Sequence, residues 1–213
     1  MTITNGYVTL AEVRGILYSS NYTGTGADTR IEKTVEASSR EIERVCNRRF
    51  YGVAETRYYT ADDGYEVQID DLTGTPTIAT DDNGDGTYET SWSATDYNLR
   101  YGGNYNGSLD GKPYTQIEVS EQGSKNFPAG VKKGVRVAGT FGYIASTNAN
   151  NCPAPIHDAC LITVHRLFKR HDVPLGVQGG GNNALGQTPV VIPRITLDPD
   201  IMDLLAPYIR GPK

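Results

Sequence analysis

The chain has 213 residues, of which 38% are hydrophobic and 21% charged, and its net charge at pH 7 is −5. This length fits one medium-sized domain, or one domain that carries an insertion. Fourteen tyrosines are too many for a disordered chain, and no apolar run approaches the roughly 18 residues of a membrane-spanning helix. A free-standing, non-specific nucleic-acid binder would usually be basic, so the acidity argues against that class.

The first residues and the cysteines indicate a compartment. Residues 1–6 have neither the basic nor the apolar region of a secretory signal. The three cysteines, Cys46, Cys152 and Cys160, are odd in number and widely spaced, so they do not predict a disulfide framework. We therefore expect buried thiols in a reducing cytosol.

Residues 1–54 have a helical pattern. Thr9 followed by Glu12 is typical of a capping box and predicts a short helix that runs to about Tyr18. Asp28 is expected to cap a second, long helix, whose pattern ends near Gly52. The apolar face of this helix is predicted from the spacing of Ile31, Val35, Ser38, Ile42 and Val45.

Residues 55–151 contain short alternating runs bounded by Gly, Asp and Asn. These runs predict strands of a small sandwich or barrel, at residues 57–60, 65–69, 77–79, 87–89, 97–99, 116–119 and 135–141. The segment has 7 basic and 14 acidic residues, so the acidity of the chain belongs to it.

Residues 152–213 return to a helical pattern. A helix is predicted after Pro153 and Pro155, with an end near Arg170 and apolar positions at Ile156, Cys160, Thr163, Val164, Leu167 and Phe168. The glycine-rich residues 178–183 predict a flexible tether, and residues 189–193 an extended piece. Asp198 as N-cap and Pro199 as first residue predict a last short helix.

Together these patterns predict an α+β fold. Residues 1–54 and 152–175 are expected to form a helical bundle core, into which residues 55–151 are inserted as a small antiparallel β domain. Residues 176–213 are expected to form an extended, flexible C-terminal docking arm.

Two groups of residues resemble metal sites. Residues 81–87 match the first half of a calcium loop, but the twelfth position is Trp92, which has no oxygen, so a tight turn is the better interpretation. Cys152, His157 and Cys160 do not have the spacing of a zinc finger or an assignable orienting residue for a Cys–His nucleophile. We expect no metal and no cofactor.

Basic residues cluster on two predicted helices. Arg40, Arg44 and Arg48 repeat every four residues, and such a stripe repels itself unless it meets carboxylates or phosphates. One interpretation is compensation of the helix dipole together with nearby glutamates, which also fits the basic residues at 165–171. The other is a surface that faces a neighbouring subunit or passing DNA.

The last predicted helix has an apolar stripe, formed by Ile201, Leu204, Leu205 and Tyr208. A tethered helix of this kind either packs on its own core or fills a groove on another subunit, and the sequence leaves both open. No carboxylate pair, Ser-His-Asp set or metal cluster stands out, so an enzyme is the least supported class.

The whole pattern resembles the head–tail connector (adaptor) proteins of tailed double-stranded DNA bacteriophages. The resemblance rests on a set of short motifs in the right order: IERVCNRRF (42–50) with ETRYY (55–59), VRVAGTFGY (135–143), RLFKRHDVPLGV (166–177), DPD (198–200) and LLAPY (204–208).

This resemblance implies a structural protein of the virion neck, assembled in the host cytoplasm. It implies a ring, usually of twelve copies, below the portal and around the DNA passage, with a C-terminal arm that grips the portal. The implied partners are the portal, neighbouring copies, a stopper or tail-terminator protein and, non-specifically, the passing DNA, with no membrane. Another tail-completion or decoration protein, or a calcium- or glycan-binding β domain, is the alternative.

Overall fold

The computed structural model describes residues 2–17, 25–102, 105, 111–172 and 198–211, and for residues 170–172 it describes the backbone alone. The chain divides into two units, a helical unit of Met1–Asn47 with Ala149–Lys213 and a sheet unit of Arg48–Asn148. The described elements are four α-helices and six antiparallel strands, so the α+β fold class is confirmed. Within these residues, no helix has the length and apolarity needed to cross a membrane.

The helical unit contains all four helices. They are α1 (Leu10–Leu17), α2 (Asp28–Cys46), α3 (Ala154–Asp172) and α4 (Pro199–Leu205), the last followed by a 3₁₀ turn at Ala206–Tyr208. The predicted tether and the predicted extended piece at 189–193 lie outside the described residues.

The start of α1 confirms the capping box. The Glu12 carboxylate accepts the Thr9 N–H at 2.7 Å, and the Thr9 hydroxyl accepts the Glu12 N–H at 3.3 Å. The predicted cap of α2 is wrong, because Asp28 is its first helical residue and Ala27 holds the cap position without a side-chain bond. Asp28 instead accepts a hydrogen bond from Arg14 of α1 at 2.8 Å, which ties the two helices together.

The core of the helical unit lies between α2 and α3, which run antiparallel. The Arg30 guanidinium near the start of α2 donates to the Phe168 carbonyl near the end of α3, while Ser39 and Cys160 meet halfway along. The fully buried side chains of α2 include Ile31, Val35, Ile42 and Cys46, and those of α3 include Ile156, Ala159, Cys160 and Val164. Burial of one such isoleucine contributes about 1.5–3 kcal/mol.

The end of α2 differs from the prediction. The helix stops at Cys46 because Asn47 takes a left-handed conformation (φ 51°) and donates its N–H to the Glu43 carbonyl. Cys46, not Val45, completes the buried face. Arg48 and Arg49 therefore lie beyond the helix, in the sheet unit.

The sheet unit has the strand order β1-β6-β2-β5-β4, with β3 paired to β2. Its strands are β1 (Val53–Tyr59), β2 (Glu66–Thr80), β3 (Thr90–Trp92), β4 (Tyr97–Arg100), β5 (Tyr114–Val119) and β6 (Val135–Phe141). β6 agrees with its prediction residue for residue, whereas the strand predicted at 87–89 belongs to a loop.

β2 is one long strand where the sequence predicts two. Its register shifts between Gln68 and Leu72 against β5, and between Thr73 and Thr77 against β6. Gly74, with φ 76°, and the nearby Pro76 break the local strand pattern, but the bulge absorbs them without ending the strand. One bent strand can therefore pair with β5 along its first half and with β6 along its second.

The core of the sheet unit is a separate apolar cluster. Trp92 stacks on Phe127 with ring centroids 4.4 Å apart. The members of the cluster are Ala61, Val67, Ile69, Leu72, Ile78, Trp92, Tyr97, Ile117, Phe127, Val135, Val137 and Phe141.

Candidate functional site

The C-terminal helix α4 packs within its own helical unit. Ile201 and Leu205 are 2% and 0% exposed, whereas Leu204 and Tyr208 are half-buried. The predicted stripe is therefore split: two of its four members pack inside the chain, and two remain partly accessible.

Two further contacts hold this segment at its ends. Asp198 pairs with Arg166 of α3, and the Arg210 N–H donates to the Cys46 carbonyl at 2.9 Å. Asp198 occupies the N-cap position and Pro199 the first helical position, as predicted, although the Asp198 side chain makes no cap hydrogen bond. Its carboxylate is directed to Arg166, so tertiary pairing has replaced local capping.

The arginines Arg40 and Arg44 lie exposed on α2 with local partners. Arg40 pairs with Glu43 at 3.0 Å and donates to the Asn5 carbonyl at 2.7 Å. Arg44 donates to Glu41 at 2.6 Å, and this hydrogen bond lowers the pKa of Glu41. These contacts neutralise much of the charge that a phosphate would meet.

Arg48 is not part of an exposed stripe, which corrects the prediction. Its guanidinium lies 3.3 Å from the Asp71 carboxylate, and both side chains are only 5% exposed. The guanidinium also lies over the Tyr143 ring, 5.3 Å from the centroid. The physical reason is the left-handed Asn47, which ends α2 and turns the chain before the next helical position is reached.

The last turns of α3 receive a cation from α2. The Arg30 guanidinium lies 4.1 Å above the Phe168 ring and donates to the Phe168 carbonyl at 2.6 Å. A cation near the last carbonyls of a helix interacts favourably with the helix dipole. Arg30 thus adds a cation from the neighbouring helix to the end of α3, where residues 165–171 are predicted to compensate the dipole.

The cysteines and His157 do not come together as a reactive site. Burial and the neighbouring Cys160 raise the pKa of Cys152 to about 12, and burial raises that of Cys160 to about 11, so both stay protonated thiols. The His157 ring nitrogens instead lie 3.3 Å from Glu12 and 3.3 Å from Asp158. Burial raises the pKa of Glu12, but hydrogen bonds from Thr9 and the contact with His157 lower it below its usual 4.5.

The loop between β2 and β3 brings three carboxylates together. Oxygens of Asp81, Asp85 and Glu89 lie within 4.8 Å of one another. The two oxygens of Asp81 already accept the N–H groups of Gly84 and Gly86, at 2.7 and 2.8 Å. Calcium takes six to eight oxygens, so the geometry fits the predicted turn better than a cation site.

Two surface features were missed by the sequence reasoning. In the helical unit, Ile16, Leu167 and Ile209 are 50%, 41% and 43% exposed, although Leu167 is predicted to face the core. In the sheet unit, the Tyr58 and Tyr88 rings lie 5.6 Å apart with Arg136 over Tyr88. Helical spacing places Leu167 beside the face formed by Val164 and Phe168, so its exposure could have been predicted. The tyrosine pair joins residues 30 positions apart and therefore leaves no local signal in the sequence.

No protein-family model matches this sequence, and no curated protein is significantly similar to it. Three solved structures of gene transfer agent (GTA) particles share its fold. A chain from the neck of the empty particle, computed with C6 symmetry, has a TM-score of 0.57 and 14% identity. A chain from the neck of the native particle, computed with C12 symmetry, has a TM-score of 0.55 and 13% identity.

The third structure, the virion of the native particle, contains a chain with a TM-score of 0.58 and 15% identity. In all three cases the match covers 100% of this chain and 94% of the other. At such identities the likeness is one of fold, and it extends over both units of the chain.

Proposed function

We propose that this chain is a structural protein of the virion neck, a head–tail connector (adaptor) subunit that forms a ring below the portal. The observation that carries this proposal is the fold likeness to neck chains over the full length of the sequence. The motif set that resembles phage connectors supports it independently. A ring of twelve copies agrees with the C12 symmetry with which the neck of the native particle was computed. The function proposed is structural, without catalysis.

The distribution of charge supports an orientation for the sheet unit. It has 9 basic and 14 acidic residues, whereas the helical unit has 11 of each. Because DNA repels an acidic surface, we place the sheet unit on the outside of the ring and the helical unit nearer the DNA passage. Arg40 and Arg44, already paired with glutamates, are assigned to contacts between subunits in preference to DNA.

Portal docking is assigned to the accessible part of the C-terminal segment. Ile201 and Leu205 are buried in the chain itself, so the side chains that can meet a portal are Leu204, Tyr208 and the exposed Ile209. Leu204 and Tyr208 come from the predicted docking stripe, and Ile209 extends it. Apolar side chains of this kind are typical anchors of a protein interface.

The test is co-assembly with the portal protein. We expect the full chain to form rings on purified portal that negative-stain images and sizing chromatography both show. The double variant Leu204→Asp, Tyr208→Asp should lose portal binding at least tenfold while its circular dichroism stays unchanged. Asp203→Ala, an exposed change on the same helix, is the matched control and should bind as the wild type does. A chain that never associates with portal contradicts the proposal.

A second neck or tail-completion role would share the same fold. Imaging of particles that carry a tagged copy separates the two, because a connector labels the portal end of the neck and a tail-completion protein labels the tail end. The calcium-binding alternative is tested by calorimetric titration with Ca²⁺. If the chain is a connector, the titration should show neither heat nor a change in melting temperature.

A further inference from the structure

The surface that holds α4 is a docking site built from two other helices. We call it the α4 seat: it comprises α3 around Arg166 and the carboxyl end of α2 at Cys46. Asp198 pairs with Arg166 at one end, the Arg210 N–H bonds the Cys46 carbonyl at the other, and Ile201 and Leu205 are buried between them. These contacts depend on α4 and the seat alone, not on how the two are connected.

The connection is far longer than this seating requires. Asp198 lies against Arg166, which is six residues before the end of α3 at Asp172, a distance of about 9 Å along a helix. Residues 173–197 number 25 between those two points. A chain of that length spans up to about 80 Å, and loops between packed helices are usually 2–8 residues.

We propose that in the assembled ring each α4 occupies the α4 seat of the neighbouring copy, so that subunits are linked by exchange of this helix. The inference rests on the proposed ring, because only a closed ring supplies every seat with one helix and leaves neither unpaired. The occupant is α4 of a second copy of this chain, since the contacts within one chain show that the seat fits α4 in shape and charge.

Exchange of α4 between copies conserves the contacts that this helix makes. The same side chains are buried and the same ion pair forms, so the contacts cost nothing to exchange. In the free subunit the chain's own α4 occupies the α4 seat, because its effective concentration there is higher than that of α4 from any other copy. A connection of 25 residues reaches a seat up to about 80 Å away, and exchange with a neighbour at such a distance adds a link between copies. A helix that left its seat for the portal alone would expose the surface around Ile201 and Leu205.

The experiment uses cysteines at the ion pair, in the full chain. Arg166→Cys and Asp198→Cys are made as two single variants that carry different tags, mixed in equal amounts and assembled on portal. A short bismaleimide then joins thiols that lie close together. Exchange predicts a two-tag crosslinked dimer at about a quarter of the interfaces. The native cysteines are buried, and each single variant alone is the control for their reactivity.

The double variant Arg166→Cys, Asp198→Cys provides the complementary readout. As a free subunit it should crosslink within one chain, and in the ring it should give a ladder of covalent multimers. Rings that give only intrachain products, or no product because α4 has moved to the portal, overturn the exchange and leave the connector function intact. Absence of any ring overturns both.

A second cysteine pair covers the case in which the first variants misfold. Cys46 is native, and the Arg210 backbone is hydrogen-bonded to it. Rings made from tagged Arg210→Cys, Cys46→Ser subunits and untagged wild-type subunits should form a disulfide between the two kinds of chain under mild oxidation. Rings that form normally but contain no such mixed disulfide, while Arg210→Cys alone forms an internal one, contradict the exchange.

Discussion

The helical unit and the sheet unit differ in how the chain builds them and in where they keep their charge. The helical unit joins two segments separated by about a hundred residues and carries no net charge, whereas the sheet unit is one continuous stretch with a net charge of −5. The sheet unit is formed by consecutive residues, while the helical unit needs both ends of the chain. The stability of the helical unit therefore depends on contacts between its helices, whereas the stability of the sheet unit depends on its own core and turns.

This comparison can be tested with one probe for each unit. Trp92 is the single tryptophan of the chain and stacks on Phe127 in the sheet unit, so its fluorescence reports that unit alone. Circular dichroism at 222 nm reports mainly the four helices. A substitution that destabilises only one unit should shift the unfolding transition seen by the probe of that unit.

The largest effect is expected from Gly142→Ala. Gly142 has φ 149°, and an added Cβ would lie 2.1 Å from the Tyr51 carbonyl oxygen, which is backbone and cannot rotate away. We expect a loss of about 4 kcal/mol in the sheet unit, seen as an earlier Trp92 transition in urea. Gly86→Ala, also at positive φ but with open space around it, is the control and should cost about 1 kcal/mol. Equal losses would contradict the steric argument.

The next effect concerns the two kinds of arginine. Arg48→Met removes the guanidinium that faces the buried Asp71 carboxylate and should destabilise the sheet unit by about 3 kcal/mol, measured by Trp92 fluorescence. Arg44→Met, on the exposed face of α2, should leave both unfolding transitions where they are. If Arg44→Met proved the more costly, the description of Arg48–Asp71 as a buried ion pair that stabilises the sheet unit would be wrong.

A comparable effect should appear in the helical unit with Leu205→Ala. Leu205 is completely buried, so the truncation removes apolar contacts and leaves a cavity, with an expected loss of about 3 kcal/mol at 222 nm. Leu204→Ala, one position earlier and half-buried, should cost less than half as much. Identical costs would show that α4 is not seated through the Leu205 side.

The smallest effect is a pH dependence in the sheet unit. Hydrogen bonds from Lys125 and from Ser93 lower the pKa of Asp96 from 3.8 to about 2. Because the folded pKa is lowered, this carboxylate stabilises the fold above pH 3.8, and the contribution is lost as the pH falls toward 2. Asp96→Asn should therefore lower the urea midpoint at pH 6 and lose most of that difference near pH 2. A difference that does not change with pH would exclude the carboxylate as its cause.

Local chemistry allowed several elements to be predicted. The Thr9–Glu12 box, the β6 strand at 135–141 and the start of α4 at Pro199 all agree with the structure. Each depends on neighbours within a few positions: a hydroxyl and a carboxylate three residues apart, an alternating run, a proline after an aspartate. Such signals survive because tertiary contacts reinforce them.

Other features required the folded chain. The sequence places Arg48 on the helix with Arg40 and Arg44, but the left-handed Asn47 ends α2 and Asp71, 23 residues away, receives the guanidinium. The break at Gly74 reads as the end of a strand, but the bulge keeps β2 continuous because it pairs with different strands along its two halves.

The sequence by itself determined the order of helical, β-rich and helical segments and the concentration of acidity in the middle of the chain, because propensity, spacing and charge are local properties. It also determined that α4 has an apolar stripe, but a periodic pattern specifies a face and not what covers it. Only the tertiary structure decided that Ile201 and Leu205 are buried in this chain's own helical unit. The choice of partner depends on surfaces brought together from α2 and α3, more than a hundred residues apart, and no local pattern contains that information.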